Sequence, residues 1–173
     1  MSGARYRLWQ FWRLITQRIS PEELEQIRGW LSPPLFKVFG QLNPAERHHA
    51  YCVRQTLIAQ GHADPDLLIA ALLHDAGKSQ MPLAVWEKVA IVLGNKFAPR
   101  TVCAWGRRRA PPHWWERPFV NYHQHPAWGA DLVEAAGGDP LVVELIRRHQ
   151  DKISPADPIY KLLSALQSAD NRN

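Results

Sequence analysis

The chain has 173 residues, of which 46% are hydrophobic and 21% charged, a composition that suits one folded domain and excludes a disordered chain. Its net charge of +5 sits in two places: residues 1–18 carry Arg5, Arg7, Arg13 and Arg18 with no acid, and residues 100–117 carry Arg100, Arg107, Arg108, Arg109 and Arg117 against Glu116, so a uniformly basic nucleic-acid surface is not supported. No apolar run reaches the roughly 18 residues of a membrane span, no apolar stretch follows the basic start as in a signal peptide, and Cys52 and Cys103 lack metal or redox spacing, so a cytoplasmic setting is expected.

Residues 1–20 read as an amphipathic helix with Leu8, Trp12, Ile15 and Ile19 on one side. Its arginines with Trp9, Phe11 and Trp12 suit an anionic membrane surface. Packing on its own domain or on a partner is preferred, so a homodimer or protein partner through residues 1–20 is expected. Prolines that follow capping residues then mark helix starts. Ser20-Pro21-Glu22-Glu23 and Asn43-Pro44-Ala45-Glu46 read as capping boxes, in which the cap side chain accepts a backbone N–H and the Glu reaches back. Asp64-Pro65, Asp139-Pro140 and Asp157-Pro158 repeat an Asp-cap, Pro-first pattern. Met81-Pro82 and His125-Pro126 put Pro in a first turn without a good cap.

Apolar stripes at helical spacing follow: Val53 and Leu57; Leu67 and Ala71; Val85, Val89 and Val92; Leu141 and Leu145; Ile159, Leu162, Leu163 and Leu166. Residues 66–73 are apolar nearly all round and predict a central buried helix. Residues 99–121, with four prolines and three tryptophans, read as a long loop or broken helix over one face. No stretch alternates as a strand does. The fold expected is all-α, a single-domain bundle of about seven to nine helices, with residues 1–42 a helical extension packed on the core formed by residues 43–173.

The central helix ends in Leu72-Leu73-His74-Asp75-Ala76-Gly77-Lys78, with Gly77 fitting a C′ position. A His and an ionised Asp at the end of a buried apolar helix are costly unless compensated. A metal ion compensates both, because it binds both and holds the Asp deprotonated. His49 shares a face with Val53 and Leu57, His149 shares the stripe of Leu141 and Leu145, and Asp170 that of Leu162 and Leu166. Each alone reads as a core residue satisfied by hydrogen bonds. Together with His74 and Asp75, they are explained more simply by one shared metal centre. His125, after the Trp-rich stretch, is a candidate further ligand.

His49, the Leu-Leu-His-Asp-Ala-Gly-Lys run at 72–78 and the distal Asp170 resemble the HD-domain superfamily of metal-dependent phosphohydrolases, over about residues 45–172. His125-Pro-Ala-Trp-Gly129 and Ile146-Arg-Arg-His149 are similar to the added histidines of its dinuclear branch, which includes symmetrical dinucleoside tetraphosphate hydrolases and cyclic di-GMP phosphodiesterases. The chain lacks the Gly-Tyr-Pro motif of the latter. Gln150 stands where they carry a second His and where the former usually carry Thr.

The resemblance implies an HD-type metal-binding domain with ligands His49, His74, Asp75, His125, His149 and Asp170, Asp75 bridging two ions. It implies one or two divalent transition ions (Fe, Mn, Zn, Co or Ni), because imidazoles dominate the set where Mg and Ca prefer oxygen. It further implies attack by a metal-bound hydroxide on a nucleotide or related phosphoester or phosphoanhydride, with Asp75 and Lys78 catalytic and Lys78 holding a phosphoryl oxygen. The other role open to Lys78 is that of a cation near a helix C-terminus.

Arg107, Arg147 and Arg148 are candidate substrate contacts; a solvated charge run is the equal reading for the arginines at 107–109, ahead of a nucleic-acid surface with Trp105, Trp114 and Trp115. His48 is expected at the surface or the edge of the site, His62 in a turn and His113 in the loop, while His123 is the rival of His125. The competing functions are a non-catalytic HD-fold signalling or scaffold protein and, less favoured, a nucleic-acid-binding module.

Overall fold

The structure, a computed structural model, describes residues 18–107 and 111–173. Among the described residues it has nine α-helices and no strand: α1 Pro21–Trp30, α2 Pro33–Gly40, α3 Pro44–Ala59, α4 Pro65–Leu73, α5 Val85–Phe97, α6 Pro99–Gly106, α7 Arg117–Ala135, α8 Pro140–Arg148 and α9 Tyr160–Asp170. A 3-10 turn, Ala76–Gln80, follows α4. The expected all-α bundle is the fold. The part of the expected N-terminal helix that falls on residues 1–17 lies outside the described residues, as do Arg108 and Arg109.

The caps act as the sequence suggests. Ser20 accepts the Glu23 N–H at 3.2 Å while the Glu23 carboxylate accepts the Ser20 N–H at 2.8 Å. Asn43 and Glu46 do the same for α3. Asp64 accepts from Leu67 N–H at 3.0 Å, and Asp139 from Leu141 N–H at 2.9 Å. Such caps contribute about 1 kcal/mol each. They fix where α1, α3, α4 and α8 begin, and therefore which residues face inward. Residues 18–20 are not helical, since Ser20 is extended as the cap of α1.

Three expectations are corrected and one is narrowed. His125-Pro126 does not open a helix, because α7 starts at Arg117 and runs through Pro126. Of the long loop or broken helix expected over residues 99–121, the structure has the broken helix: α6 and the start of α7, with a short Pro-rich link between them. The helices after Met81-Pro82 and Asp157-Pro158 start later, at Val85 and Tyr160. Asp157 spends its carboxylate on the Ile159 N–H and on Arg148 instead. The stripe of Val85, Val89 and Val92 faces solvent, since α5 packs chiefly on α6 and α7 by its other face.

Helix α4 is the centre of the bundle. It packs on α2, α3, α8 and α9. Leu67, Ala70, Ala71, Leu72 and Leu73 are fully buried. Burying each leucine contributes about 2 kcal/mol. Ile27, Leu35, Val38 and Phe39 of α1 and α2 join the same hydrophobic cluster as Val53, Leu57, Leu145, Ile146, Leu163 and Leu166. The Arg54 guanidinium carbon sits over the Trp30 ring, 3.3 Å from its centre, and ties α3 to α1.

The turn after α4 presses against α7. A Cβ on Gly77 would lie 2.0 Å from the His125 carbonyl oxygen and 2.6 Å from the Gly129 nitrogen. Gly77 is required by this approach, not by a left-handed cap; Gly61 and Gly137 are the described glycines with positive φ.

Candidate metal centre

The six residues singled out on the sequence come together in two groups of three: His49, His74 and Asp170, and Asp75, His125 and His149. In each group the ligand-type atoms lie within 4.8 Å of one another. His74 and His149 are the C-cap residues of α4 and α8, and Asp170 is the last residue of α9. Three helices thus point their C-terminal ends at one place, and the partial negative charge of those ends favours a cation there. His49 reaches in from the middle of α3 and His125 from the middle of α7.

Buried hydrogen bonds orient the rings. Nδ1 of His74, His125 and His149 donates to the carbonyl of Ala71 (2.9 Å), Asn121 (2.9 Å) and Ile146 (2.7 Å), respectively. A carbonyl can only accept, so each Nδ1 carries the proton and a neutral ring leaves its Nε2 lone pair free. The Nε2 atoms of His125 and His149 then face each other at 3.2 Å. Two lone pairs aimed at one another in a buried site require an electrophile near them. The Nε2 of His74 is buried with no hydrogen-bond partner, 3.5 Å from an oxygen of Asp75 and from one of Asp170. These donors fit a bound transition-metal ion: imidazole nitrogens with carboxylate oxygens, held by outer hydrogen bonds.

Asp75 joins the two groups. One carboxylate oxygen lies 3.5 Å from His74 Nε2, and the other lies 3.3 Å from His125 Nε2. Lys78 Nζ donates to the first of these oxygens at 2.6 Å. On the far side, His49 Nε2 lies 2.9 Å from Asp170.

The charges follow from these contacts. Burial works to raise the Asp75 carboxyl, but Lys78, His74 and His125 hold it well below the usual carboxylate range. Burial also opposes ionisation of Asp170, and the hydrogen bond from His49 with the nearby His74 ring overcomes it, so its pKa too is lowered. Burial opposes the cation at His74, yet the Asp75 and Asp170 carboxylates raise its pKa. Burial and the neighbouring His74 and His125 push His149 down to about 3, so its ring stays neutral. Burial disfavours the Lys78 ammonium, and Asp75 more than compensates, so it stays charged.

A cavity of about 240 Å³ opens beside the centre, lined by Glu46, Lys78, Leu83, Lys88, Ile91, Asn121, Tyr122, His125 and Gln150. Gln150 approaches His125 to 3.5 Å. Tyr122 and Gln150 also border a larger groove of about 560 Å³ with Arg107, Arg147 and Lys152 at its rim.

The expected substrate arginines are not at the cavity. Arg107 and Arg147 reach the groove, and Arg147 is paired with Asp131 at 2.9 Å. Arg148 is held by Glu144, Asp151 and Asp157 and lines neither space. His123 is outside both groups and packs on Gly106, His113 stacks on Trp115, and His48 contacts Cys52. The sequence reading missed Lys88, Tyr122 and Asn121 as lining residues. Starting the helix at His125 hid that Tyr122 and Asn121 lie one turn before it.

The family model of the HD domain matches residues 46–172. The chain therefore belongs to the HD-domain family, whose members are generally metal-dependent hydrolases. No curated protein and no solved structure matches the chain in the corresponding comparisons.

Proposed function

We propose that the protein is a metal-dependent phosphohydrolase that acts on a phosphorylated small molecule of the nucleotide class. His49, His74 and Asp170 would hold one divalent transition ion, and Asp75, His125 and His149 a second, with the Asp75 carboxylate shared. The observation that carries this reading is the pair of buried Nε2 atoms of His125 and His149, which face each other beside an ionised Asp75. When bound, the ions supply Lewis-acid charge toward the phosphoryl group and lower the pKa of the attacking water.

The chain's own residues supply the rest. Lys78 borders both Asp75 and the cavity, where its ammonium holds a phosphoryl oxygen and balances developing negative charge. Lys88, ion-paired to Glu46 at 3.4 Å, adds a second positive group. Leu83, Ile91 and the Tyr122 ring form an apolar wall suited to the organic part of the substrate. The Nδ1–H bonds of His74, His125 and His149 keep their rings from turning, which preserves the geometry through a catalytic cycle.

The test is a hydrolysis screen of the Mn-, Fe- and Zn-loaded chain against nucleoside mono-, di- and triphosphates, dinucleoside polyphosphates and cyclic dinucleotides. At least one is expected to be cleaved by the wild type and not by Asp75→Asn. If none is cleaved faster than by Asp75→Asn, the hydrolase reading fails and the scaffold reading replaces it.

A further inference from the structure

Helix α5 is amphipathic in the wrong direction for a core helix. Its outward face carries Val85, Trp86, Val89, Val92, Leu93 and Phe97, all exposed, Val92 at 67% and Phe97 at 74%. The spacing of three and four residues makes this one continuous stripe, about 20 Å long for a helix of 13 residues. At its N-terminal end the stripe is extended by Trp114, which packs on Trp86 at 6.3 Å and on Trp115 at 5.6 Å between ring centres. Contiguous exposed apolar surface of this kind marks an interaction site, whereas single exposed residues do not.

The charge around the stripe is one-sided. Residues 82–107 and 111–117 contain Lys88, Lys96, Arg100, Arg107 and Arg117, and two acids, Glu87 and Glu116. Both acids are turned inward, at 4% and 2% exposure. Glu87 accepts the Ala84 N–H at 2.8 Å and Glu116 accepts the His113 N–H at 3.0 Å, so each caps its own turn. Lys88 is turned to the cavity and paired with Glu46, so the outer surface of these segments offers apolar side chains with the exposed cations Lys96, Arg100 and Arg107, and no exposed carboxylate among the described residues of these segments.

We propose that the α5 stripe with Trp114 and Trp115 is a docking surface for an anionic lipid bilayer. The aromatic cluster belongs at headgroup depth, where indoles are favoured. The valines, Leu93 and Phe97 insert at the acyl boundary, and Lys96 and Arg100 reach the lipid phosphates. A second copy of the chain fits less well. A two-fold interface would bring this face against itself and set cations against cations with no acid to pair. A nucleic acid would use the tryptophans and bases but leave the aliphatic stripe against a polar partner. The proposal is independent of the hydrolase reading, since it uses none of the residues of the metal centre.

The test is flotation of the full chain with phosphatidylcholine vesicles and with phosphatidylcholine–phosphatidylglycerol vesicles. Binding is expected to the anionic vesicles and to weaken with added salt. Val92→Asp with Leu93→Asp is expected to reduce binding at least about tenfold, and Lys96→Glu with Arg100→Glu severalfold. All four positions are exposed, so thermal melting is expected to match the wild type and separates lost docking from misfolding. No binding to anionic vesicles overturns the proposal, as does binding that both variants keep, which would belong to another surface. A dimer in light scattering that Val92→Asp with Leu93→Asp dissociates would assign the face to a second copy. Loss of single-stranded oligonucleotide binding in that variant, without vesicle binding by the wild type, would assign it to nucleic acid. Either result overturns the bilayer.

Discussion

Gly77→Ala is the single methyl group that should cost this protein the most. The added Cβ would meet the His125 carbonyl oxygen at 2.0 Å, the Gly129 nitrogen at 2.6 Å and the His125 carbonyl carbon at 2.9 Å. All three are backbone atoms, so no side chain can rotate away. The turn at 76–80 must instead lift off α7. Overpacking in a core costs about 1–3 kcal/mol, and a backbone-only clash belongs at the upper end, about 3 kcal/mol. For a chain of this size that is a fall in Tm of about 6–12 °C. The site is affected as well, because the same movement carries Asp75 away from His125, from which it is 3.3 Å in the wild type. Metal content should therefore fall along with Tm. Gly29→Ala is the control. It lies in α1, where a new methyl group would find nothing within 4 Å, and it should melt at or above the wild type. Thermal melts and metal analysis of the two variants decide the matter. A Gly77→Ala protein that melts with the wild type and holds as much metal would refute the packing argument.

Three further outcomes follow from named contacts. If the two His/Asp groups each hold an ion, His49→Ala and His125→Ala should each lower the metal content from about two ions per chain to about one; elemental analysis showing no change in either would separate these residues from metal binding. Lys78→Met removes the cation paired with buried Asp75 while Lys78 is itself 33% exposed; it should destabilise the metal-free protein by roughly 1–2 kcal/mol and the metal-loaded protein by less, measured as urea midpoints with and without chelator. The Arg148 guanidinium holds Asp157 below its ordinary range, so this pair's contribution is fully present above the unfolded carboxylate pKa and is lost as pH falls through the lower folded value; Asp157→Asn should flatten the acid limb of stability against pH while leaving its alkaline side unchanged.

Much of the fold was legible because its caps are local. Ser20, Asn43, Asp64 and Asp139 each bind the backbone within three residues, so sequence alone carries the information. The metal-centre candidates were legible for a related reason. His49, His149 and Asp170 break apolar stripes, and a polar group on a core face demands a partner. What failed was tertiary. Pro126 reads as a helix start, yet α7 absorbs it in its interior, where it has no N–H to give the Tyr122 carbonyl. Starting the helix there concealed Asn121 and Tyr122, which lie one turn earlier and line the cavity. The valine stripe of α5 has the period of a core face, and only the packing of α6 and α7 decides that it looks outward. Asp157-Pro158 has the form of a cap, but Arg148, nine residues earlier, competes for the carboxylate. Gly77 was marked as special for the wrong reason: the constraint comes from α7, far away in sequence, and no local pattern encodes it.

Whether these histidines and aspartates form a metal centre can be measured directly. The most direct measurement is elemental mass spectrometry on the untagged full chain, purified without oxygen, beside Asp75→Asn. About two transition-metal ions per chain are expected in the wild type and far fewer in the variant. A wild-type chain that holds no metal, even after reconstitution with Mn, Fe or Zn, would contradict a metal centre at these residues.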